Sequence, residues 1–225
     1  MDGLVLNFQL AGINNRNFLM RDRETGTFWQ QISGRAISGP LQGRTLRLIP
    51  SEELTFGLWL AEQPAGTVLR ESAADSAMYD SKAMEELLGE VPEPLRAEGL
   101  APREPVVAIE LKGVAKAWPL SAITREKLLR DRVGEIPVIL VAAPDEQSVR
   151  AFIARLPGSG DPPEFYRTPD GTLLDDRAGS RWNFQGCAIA GKLSGQCLER
   201  VELIHDFWFA WKRYHPQGVL YRSAR

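Results

Sequence analysis

The residues best suited to form a binding site lie in one short stretch near the N-terminus, where polar side chains surround a single tryptophan. They are Asn15, Asn17, Asp22, Arg23, Trp29 and Gln31. Amide, carboxylate and guanidinium groups beside an aromatic ring can hold a small polar ligand by hydrogen bonds and stacking. The same residue types also satisfy the backbone of a tight hairpin. These six residues are the candidate ligand site, and a self-bonded hairpin is the equal alternative.

Other residues with catalytic potential lack the spacing that a mechanism requires. His205 and His215 stand apart, with no nucleophile elbow or metal-ligand spacing around them. His215 precedes Pro216 at a predicted helix end, where a cation is favourable, so we interpret it as a helix cap. The pairs Glu52-Glu53 and Asp175-Asp176 are typical of solvated surfaces, and no glycines form a phosphate-binding loop. We predict no catalytic residue, no metal and no cofactor.

The two cysteines, Cys187 and Cys197, are too few for a disulfide scaffold and lack zinc-ligand spacing. The simpler interpretation, which we favour, is a pair of buried free thiols, because cysteine often behaves as a small apolar residue. A second interpretation depends on the chain between them. If a hairpin turns near Lys192, the two cysteines face each other across the strands and are close enough to bridge.

A repeated glycine pattern organises the chain around these residues. Gly34–Leu46 and Gly186–Leu198 share the pattern G-x-A-I-x-G-x-L-x-G-x-x-L, and Trp29 matches Trp182 just upstream. Downstream, Phe56 matches Trp208, Trp59 matches Trp211 and Pro64 matches Pro216 in one register. Such self-similarity indicates a duplicated supersecondary unit. Glycines at these intervals favour tight hairpins, because they supply positive φ at no steric cost.

The alternation and turn signals predict strands far more often than helices. Strands are expected at Leu4–Phe8, Phe18–Met20, Thr27–Ile32, Thr67–Leu69, Val106–Leu111, Ala115–Leu120, Pro137–Val141 and Val219–Tyr221. Helices are expected after Ser51-Glu52-Glu53, at Ser81–Leu88, at Ser121–Arg130 and after an N-cap at Asp206. Most of the six tryptophans are expected in the core.

We therefore predict a mainly β fold, a β-rich α+β protein with two tandem pseudo-equivalent antiparallel β lobes, each closed by a short aromatic helix. Residues 1–70 form the first lobe, residues 71–102 a connector with a short helix, and residues 103–225 the second lobe. The second repeat begins near Arg103, so by the repeat offset the first would begin ahead of Met1. We expect the first lobe to be incomplete at its N-terminal side.

Bulk composition narrows the class of protein but indicates no reaction. Hydrophobic residues make up 44% and charged residues 25% of the 225, and the net charge is −2, which gives no electrostatic reason to expect nucleic acid. The longest apolar run, Pro137–Pro144, is too short to span a bilayer. The N-terminus lacks the features of a signal peptide. These features predict a soluble, cytoplasmic chain, with export left open if a signal precedes Met1.

Several of these motifs resemble the bacterial and archaeal family called domain of unknown function 3179. The resemblance rests on the stretch from Asn15 to Gln31, the repeated glycine pattern, Pro105–Glu110 with Ala117–Leu120, and Trp208–Trp211 with His215-Pro216. It covers nearly the whole chain apart from the connector. It implies a shared fold and no established activity.

The chain departs from that family's pattern at the positions most suited to chemistry. The resemblance implies a Trp-His-Glu-like triplet early in a repeat, and then a strand ending in Cys-Pro-x-Cys, which could bind a metal or do redox chemistry. In the second repeat, Arg125 and Glu126 occupy the Trp and His positions, and Ala143–Glu146 occupies Cys-Pro-x-Cys. The first repeat starts after this region.

Two functions remain as hypotheses. The leading one is a non-enzymatic ligand- or protein-binding or structural module, because no complete catalytic or metal set is present. The alternative is a metal-dependent or thiol redox enzyme whose Cys-Pro-x-Cys/His site lies ahead of Met1. An incomplete first lobe would leave a sheet edge uncovered, and such an edge favours strand addition by another chain. We therefore predict a homodimer through that edge, although Val106–Val141 could instead cover both lobes.

Overall fold

The structure is a computed structural model that describes residues 3–14, 17–47, 49, 51–70, 72, 100–101, 103–158 and 162–223. The chain divides into two compact units. The smaller unit contains Met1–Ser51 with Ala210–Pro216, and the larger unit contains Glu52–Phe209 with Gln217–Arg225. The predicted connector helix at Ser81–Leu88 lies outside the described residues.

The described chain is β-rich, with four four-stranded sheets and three short helices, so the predicted β-rich α+β class is confirmed. The helices are α1 (Phe56–Glu62), α2 (Leu120–Glu126) and α3 (Trp208–Tyr214). The first nine strands are β1 (Phe8–Asn14), β2 (Asn17–Asp22), β3 (Phe28–Gln30), β4 (Ala36–Ser38), β5 (Pro105–Leu111), β6 (Val114–Pro119), β7 (Leu128–Val133), β8 (Ile136–Ala142) and β9 (Val149–Ile153). The others are β10 (Phe165–Arg167), β11 (Leu173–Asp175), β12 (Arg181–Trp182), β13 (Ala188–Ala190), β14 (Arg200–Val201), β15 (Ile204–Phe207) and β16 (Val219–Leu220).

Two of the sheets have the same strand order and the same pairing. The N-terminal sheet, β1-β2-β3-β4, and the C-terminal sheet, β10-β11-β12-β13, are both antiparallel meanders. Met20 pairs with Trp29 in the first, and Leu173 pairs with Trp182 in the second. Each sheet has a register shift between its third and fourth strands. The two glycine motifs therefore lie in hairpins of the same form.

The core of the larger unit is built around β8, whose residues are apolar on both faces. Because side chains alternate along a strand, Val138 and Leu140 face one way while Ile139 and Val141 face the other. The first pair packs with Trp118 in one buried cluster, and the second pair packs in another. The core sheet, β14-β9-β8-β7, thus lies between the C-terminal sheet on one side and β5, β6 and α2 on the other.

The fourth sheet has the order β15-β5-β6-β16 and is called the mixed sheet here. Its central hairpin turns at Lys112-Gly113, where both residues have positive φ, as a two-residue hairpin turn requires. β15 pairs antiparallel with β5, whereas β16 pairs parallel with β6. The predicted strands at 106–111 and 115–120 correspond to this hairpin.

Helix boundaries account for several errors of the sequence prediction. The helix expected over Ser121–Arg130 ends at Glu126, because Lys127 adopts a left-handed conformation, and Leu128 already begins β7. α1 starts after Thr55 rather than at Ser51, since the Thr55 hydroxyl accepts the Leu58 N–H as an N-cap.

The remaining errors of the sequence prediction concern strands. Asp206 lies in β15 opposite Val106 rather than capping a helix, so a tertiary contact overrides its local preference. The strand expected over Leu4–Phe8 begins only at Phe8 and continues to Asn14. The segment Thr67–Leu69 has no regular structure, and its side chains are exposed.

Candidate functional site

The centre of the candidate ligand site is a buried carboxylate held by an indole. Asp22 at the end of β2 and Trp29 in β3 are each only 1% exposed. The Trp29 Nε1–H donates to Asp22 Oδ2 at 2.8 Å, and Thr25 donates from its amide at 2.6 Å and its hydroxyl at 2.8 Å to Oδ1. Burial opposes ionisation of Asp22, but these hydrogen bonds outweigh it and hold its pKa below the ordinary value.

The C-terminal sheet contains the same arrangement. The Trp182 Nε1–H donates to Asp175 Oδ2 at 3.0 Å, and the Ser180 amide donates to the same oxygen at 3.0 Å. Both Trp182 and Asp175 are buried, and the pKa of Asp175 is again lowered by donors that outweigh burial. A third indole, Trp118, donates to Asp131 at 2.8 Å in the larger unit. A buried indole–carboxylate bond therefore fixes both meander sheets, and a part-buried bond of the same kind joins β6 to β7.

Of the other members of the candidate ligand site, Asn17 lies apart from this pair. Asn17 pairs with Asn14 at the opposite end of β2 from Asp22, about 17 Å away at the usual strand rise. Arg23 and Gln31 are exposed, and Asn15 lies outside the described residues. The structure thus places Asp22 and Trp29 together and does not place Asn17 beside them. Ligand binding by these residues stays a prediction.

The two cysteines form a disulfide with a Cα–Cα distance of 4.0 Å. Cys187 and Cys197 face each other in an isolated antiparallel bridge, as expected for a hairpin turning near Lys192. The favoured interpretation of two buried free thiols is therefore wrong. Cys187 is half-buried and Cys197 is exposed, because the pair lies close to the turn rather than in the core.

A buried arginine joins α1 to the core sheet in the larger unit. The Arg150 side chain in β9 is 3% exposed and lies over the Phe184 ring at 4.5 Å. Its Nη1 and Nη2 each donate to Glu62 at 2.7 Å, and its Nε donates to Glu52 at 2.5 Å. Arg200 adds a second contact to Glu52 at 2.8 Å. Hydrogen bonds from Arg150 lower the pKa of Glu62 below its usual value.

A shallow depression of about 440 Å³ opens beside this network. Its lining residues are Glu52, Glu53, Leu54, Thr55, Gln147 and His205. His205 Nδ1 lies 3.6 Å from Glu53 Oε2. Burial lowers the pKa of His205, while the Glu53 carboxylate acts in the opposite direction. The imidazole is therefore mostly neutral at neutral pH. Arg150 and Arg200 neutralise Glu52, so the exposed Glu53 side chain remains the acidic group that faces the depression.

The loop that occupies the Cys-Pro-x-Cys positions performs a structural role. Asp145 Oδ2 accepts the hydroxyls of Thr55 and Ser148, each at 2.6 Å, and Oδ1 accepts the amides of Gln147 at 3.0 Å and Ser148 at 2.8 Å. Burial of Asp145 acts against ionisation, but these donors prevail and lower its pKa to about 2. The Ser148 hydroxyl also accepts the Thr55 N–H at 3.0 Å, so this loop fixes the start of α1.

Within the described residues, no three His, Cys, Asp or Glu side chains are placed to hold a metal ion. The helices among the described residues are too short or too polar to cross a bilayer.

Comparison with known proteins identifies the class to which this architecture belongs. Residues 1–218 match the family described as Protein of unknown function (DUF3179), and the chain belongs to that family. No curated protein and no solved structure matches the chain significantly. The resemblance seen in the motifs is thereby confirmed. The family's description assigns no activity, and the alternative of a redox enzyme has no support from this match.

Proposed function

We propose that this protein is a non-enzymatic binding module and that β1 is the strand through which it binds a second copy of itself. The observation that carries the proposal is the exposure of apolar side chains on this edge strand of the N-terminal sheet. Leu10 is 59%, Ile13 53% and Phe8 37% exposed. An edge strand presents unpaired N–H and C=O groups, and apolar side chains beside them favour pairing with another strand.

The matched strand of the C-terminal sheet supports the proposal by contrast. Phe165 in β10 occupies the position of Phe8, since each pairs with the buried aspartate of its sheet, and Phe165 is fully buried. The Arg130 side chain donates to the Phe165 carbonyl at 3.0 Å and lies over the Tyr166 ring at 5.7 Å. The Arg130 side chain from β7 thus covers β10. β10 has only three residues, whereas β1 has seven.

The lack of charge on β1 supports a second copy as its partner. The strand sequence is Phe-Gln-Leu-Ala-Gly-Ile-Asn, with no ionisable side chain. Two such strands related by a twofold axis pair antiparallel without placing like charges opposite each other. Natural edge strands that avoid association carry a charge, a proline or a bulge. β1 has no charge and no proline, and its register with β2 shifts once, between Leu10 and Gly12.

The polar groups suited to chemistry support a non-enzymatic module, because their hydrogen bonds maintain the fold. Asp22 and Asp175 hold hairpins, Asp145 fixes the start of α1, and Arg150 joins α1 to β9. We also propose that the N- and C-terminal sheets are copies of one duplicated unit, within lobes at residues 1–70 and 103–225 joined by residues 71–102. Their common strand order, register shifts and indole–carboxylate pairs support the duplication.

The test is the molar mass in solution, measured by light scattering over a concentration series up to high micromolar protein. The wild-type chain is expected to shift from monomer to dimer, and Leu10→Lys is expected to stay monomeric, because it places like charges opposite each other in the paired strands. Ile189→Lys is the matched control, since Ile189 is 52% exposed in the C-terminal sheet. A wild-type protein that stays monomeric throughout, or a dimer unaffected by Leu10→Lys, would refute the proposal.

A further inference from the structure

The disulfide lies in a hairpin whose backbone hydrogen bonds enclose it on both sides. The flanking bonds, each 2.8 Å, run from Ala188 N–H to Gln196 O and from Leu198 N–H to Gly186 O. Cys187 and Cys197 therefore form a non-hydrogen-bonded pair, in which the side chains of an antiparallel ladder come closest. The hydrogen bonds that hold the two strands together at this point do not involve either cysteine.

The N-terminal sheet contains the same hairpin without a disulfide. The corresponding bonds run from Ala36 N–H to Arg44 O at 2.8 Å and from Leu46 N–H to Gly34 O at 2.9 Å. Between them, Arg35 and Thr45 form the same isolated bridge that the cysteines form. Neither side chain can form a covalent link, so this backbone geometry is reached without one. The disulfide is thus dispensable for the shape of the hairpin.

The glycines of the two hairpins explain why the geometry needs no covalent link. A Cβ on Gly39 would lie 2.7 Å from the Thr27 Cα, and a Cβ on Gly191 would lie 2.6 Å from the Ser180 Cα. Both glycines have positive φ. Close backbone approach at these glycines positions each hairpin against its own sheet, independently of residues 187 and 197.

The position of the pair makes it accessible to a thiol. Cys197 is exposed and Cys187 half-buried, at the rim of the buried cluster that contains Ala188 and Leu198. A disulfide is attacked by a thiolate in line with the S–S bond, so exposure of one sulfur-bearing residue allows reaction without unfolding. The link closes a loop of only ten residues in sequence separation, the case in which cross-linking restricts the unfolded chain least.

Beyond the proposed binding function, we propose that Cys187–Cys197 is a redox-active pair that exchanges stoichiometrically with a dithiol, and that the folded protein exists in both the disulfide and the dithiol forms. The site is distinct from the Cys-Pro-x-Cys positions at 143–146. In the reaction, a thiolate of the dithiol bonds to Cys197 Sγ, and Cys187 leaves as a thiolate and takes up a proton. The second thiol of the reductant then displaces Cys197, so two electrons and two protons pass from the dithiol to the protein.

The test is the rate of reduction of the native full-length chain by dithiothreitol, followed by quenched alkylation and intact mass. The expected result is two alkylated thiols per chain, formed within about tenfold of the rate for the same chain in guanidinium, because access rather than unfolding limits the reaction. The near-ultraviolet circular dichroism of the reduced protein is expected to match that of the oxidised protein. A native rate more than a hundredfold slower, or loss of the native spectrum on reduction, would overturn the proposal.

The chain supplies its own control variant. Cys187→Arg with Cys197→Thr installs the residue pair of the N-terminal hairpin, and this variant is expected to fold and to show no alkylation after dithiothreitol. If arginine at position 187 prevents folding, the double variant Cys187→Ser with Cys197→Ser shows whether the fold needs the disulfide. A native spectrum in the serine variant supports dispensability, and an unfolded one shows that the disulfide is a structural staple and refutes the proposal.

Discussion

Replacing Arg150 by methionine should destabilise the larger unit strongly, although methionine keeps an apolar stem at this position. The change removes the bidentate partner of Glu62, whose side chain is only 16% exposed. Breaking a buried ion pair by removing one partner costs about 3–5 kcal/mol. Glu52 keeps its ion pair with Arg200 and is 31% exposed, so the loss of Arg150 costs less free energy there. The total loss of stability is therefore expected near the lower end of that range. At roughly 2–4 °C per kcal/mol for a chain of this size, the melting temperature should fall by about 6–12 °C.

The loss should be concentrated at α1. This helix has no buried residue, so its position depends on polar contacts. In Arg150→Met, hydrogen exchange of the Trp59 and Gln63 amides, which donate to Thr55 O and Trp59 O, should accelerate more than that of β8. Arg200→Met is the matched control, because Arg200 is 39% exposed and should cost at most about 1 kcal/mol. Thermal melts combined with exchange mass spectrometry measure both quantities.

The opposite result is physically possible and would refute this reasoning. Burying charges costs desolvation energy, and an apolar replacement of a buried ion network is sometimes stabilising. An Arg150→Met protein with an unchanged or raised melting temperature would show that desolvation dominates. Acidification gives an independent check. The pKa of Glu62 is lower in the folded state than in the unfolded state. The ionised Glu62 side chain therefore stabilises the fold above its unfolded-state pKa, and this stabilisation is lost as pH falls through its folded-state pKa. Arg150→Met should lose less stability than the wild-type chain over that pH range.

Three further predictions concern the hairpins and the acidic loop. Trp182→Phe keeps a ring but removes a donor to a buried carboxylate, so urea unfolding should show a loss of about 1.5–3 kcal/mol, and a loss below a few tenths would contradict the role of that hydrogen bond. Gly191→Ala should lower the melting temperature clearly, because Gly191 has positive φ and an added Cβ would clash with backbone. Gly57→Ala in α1, where the space is open, should instead stabilise the fold by about 0.5–1 kcal/mol. Equal effects of the two changes would refute the steric argument. The pKa of Asp145 is lowered to about 2 in the folded state. The stabilisation by the ionised Asp145 side chain should therefore be complete above its unfolded-state pKa and disappear as pH falls toward 2. Asp145→Asn should flatten the dependence of stability on pH in this range, and an unchanged dependence would exclude Asp145 as its cause.

The local parts of the fold were predictable from the sequence because their signals lie close together in the chain. The glycine spacing indicated hairpins, and the symmetric placement of Cys187 and Cys197 about Lys192 predicted that they face each other. Trp29 and Trp182 were expected in the core, and both are buried. Turn residues and alternation act over a few positions, so a single sequence contains them in full.

The parts that the sequence did not predict depend on partners far away in the chain. Arg150 lies 98 residues from Glu52, and the strand that contains it reads as an ordinary apolar strand with one charge. A buried charge in such a strand implies an ionic partner but does not identify it. The separation of Asn17 from Asp22 and Trp29 has a related reason. Asn17 and Asp22 are close in sequence, yet an extended strand carries them to opposite ends.

The strand order of the mixed sheet has a consequence for biosynthesis. The β5–β6 hairpin is flanked by β15 and β16, which lie roughly a hundred residues later and must close long loops before they pair. A nascent chain that has not yet reached residue 204 therefore presents both edges of this hairpin, whose Val107, Ala108 and Trp118 are fully buried in the finished protein. Exposed strands of this kind aggregate or engage chaperones. The larger unit is expected to complete its folding only after synthesis of its C-terminal strands.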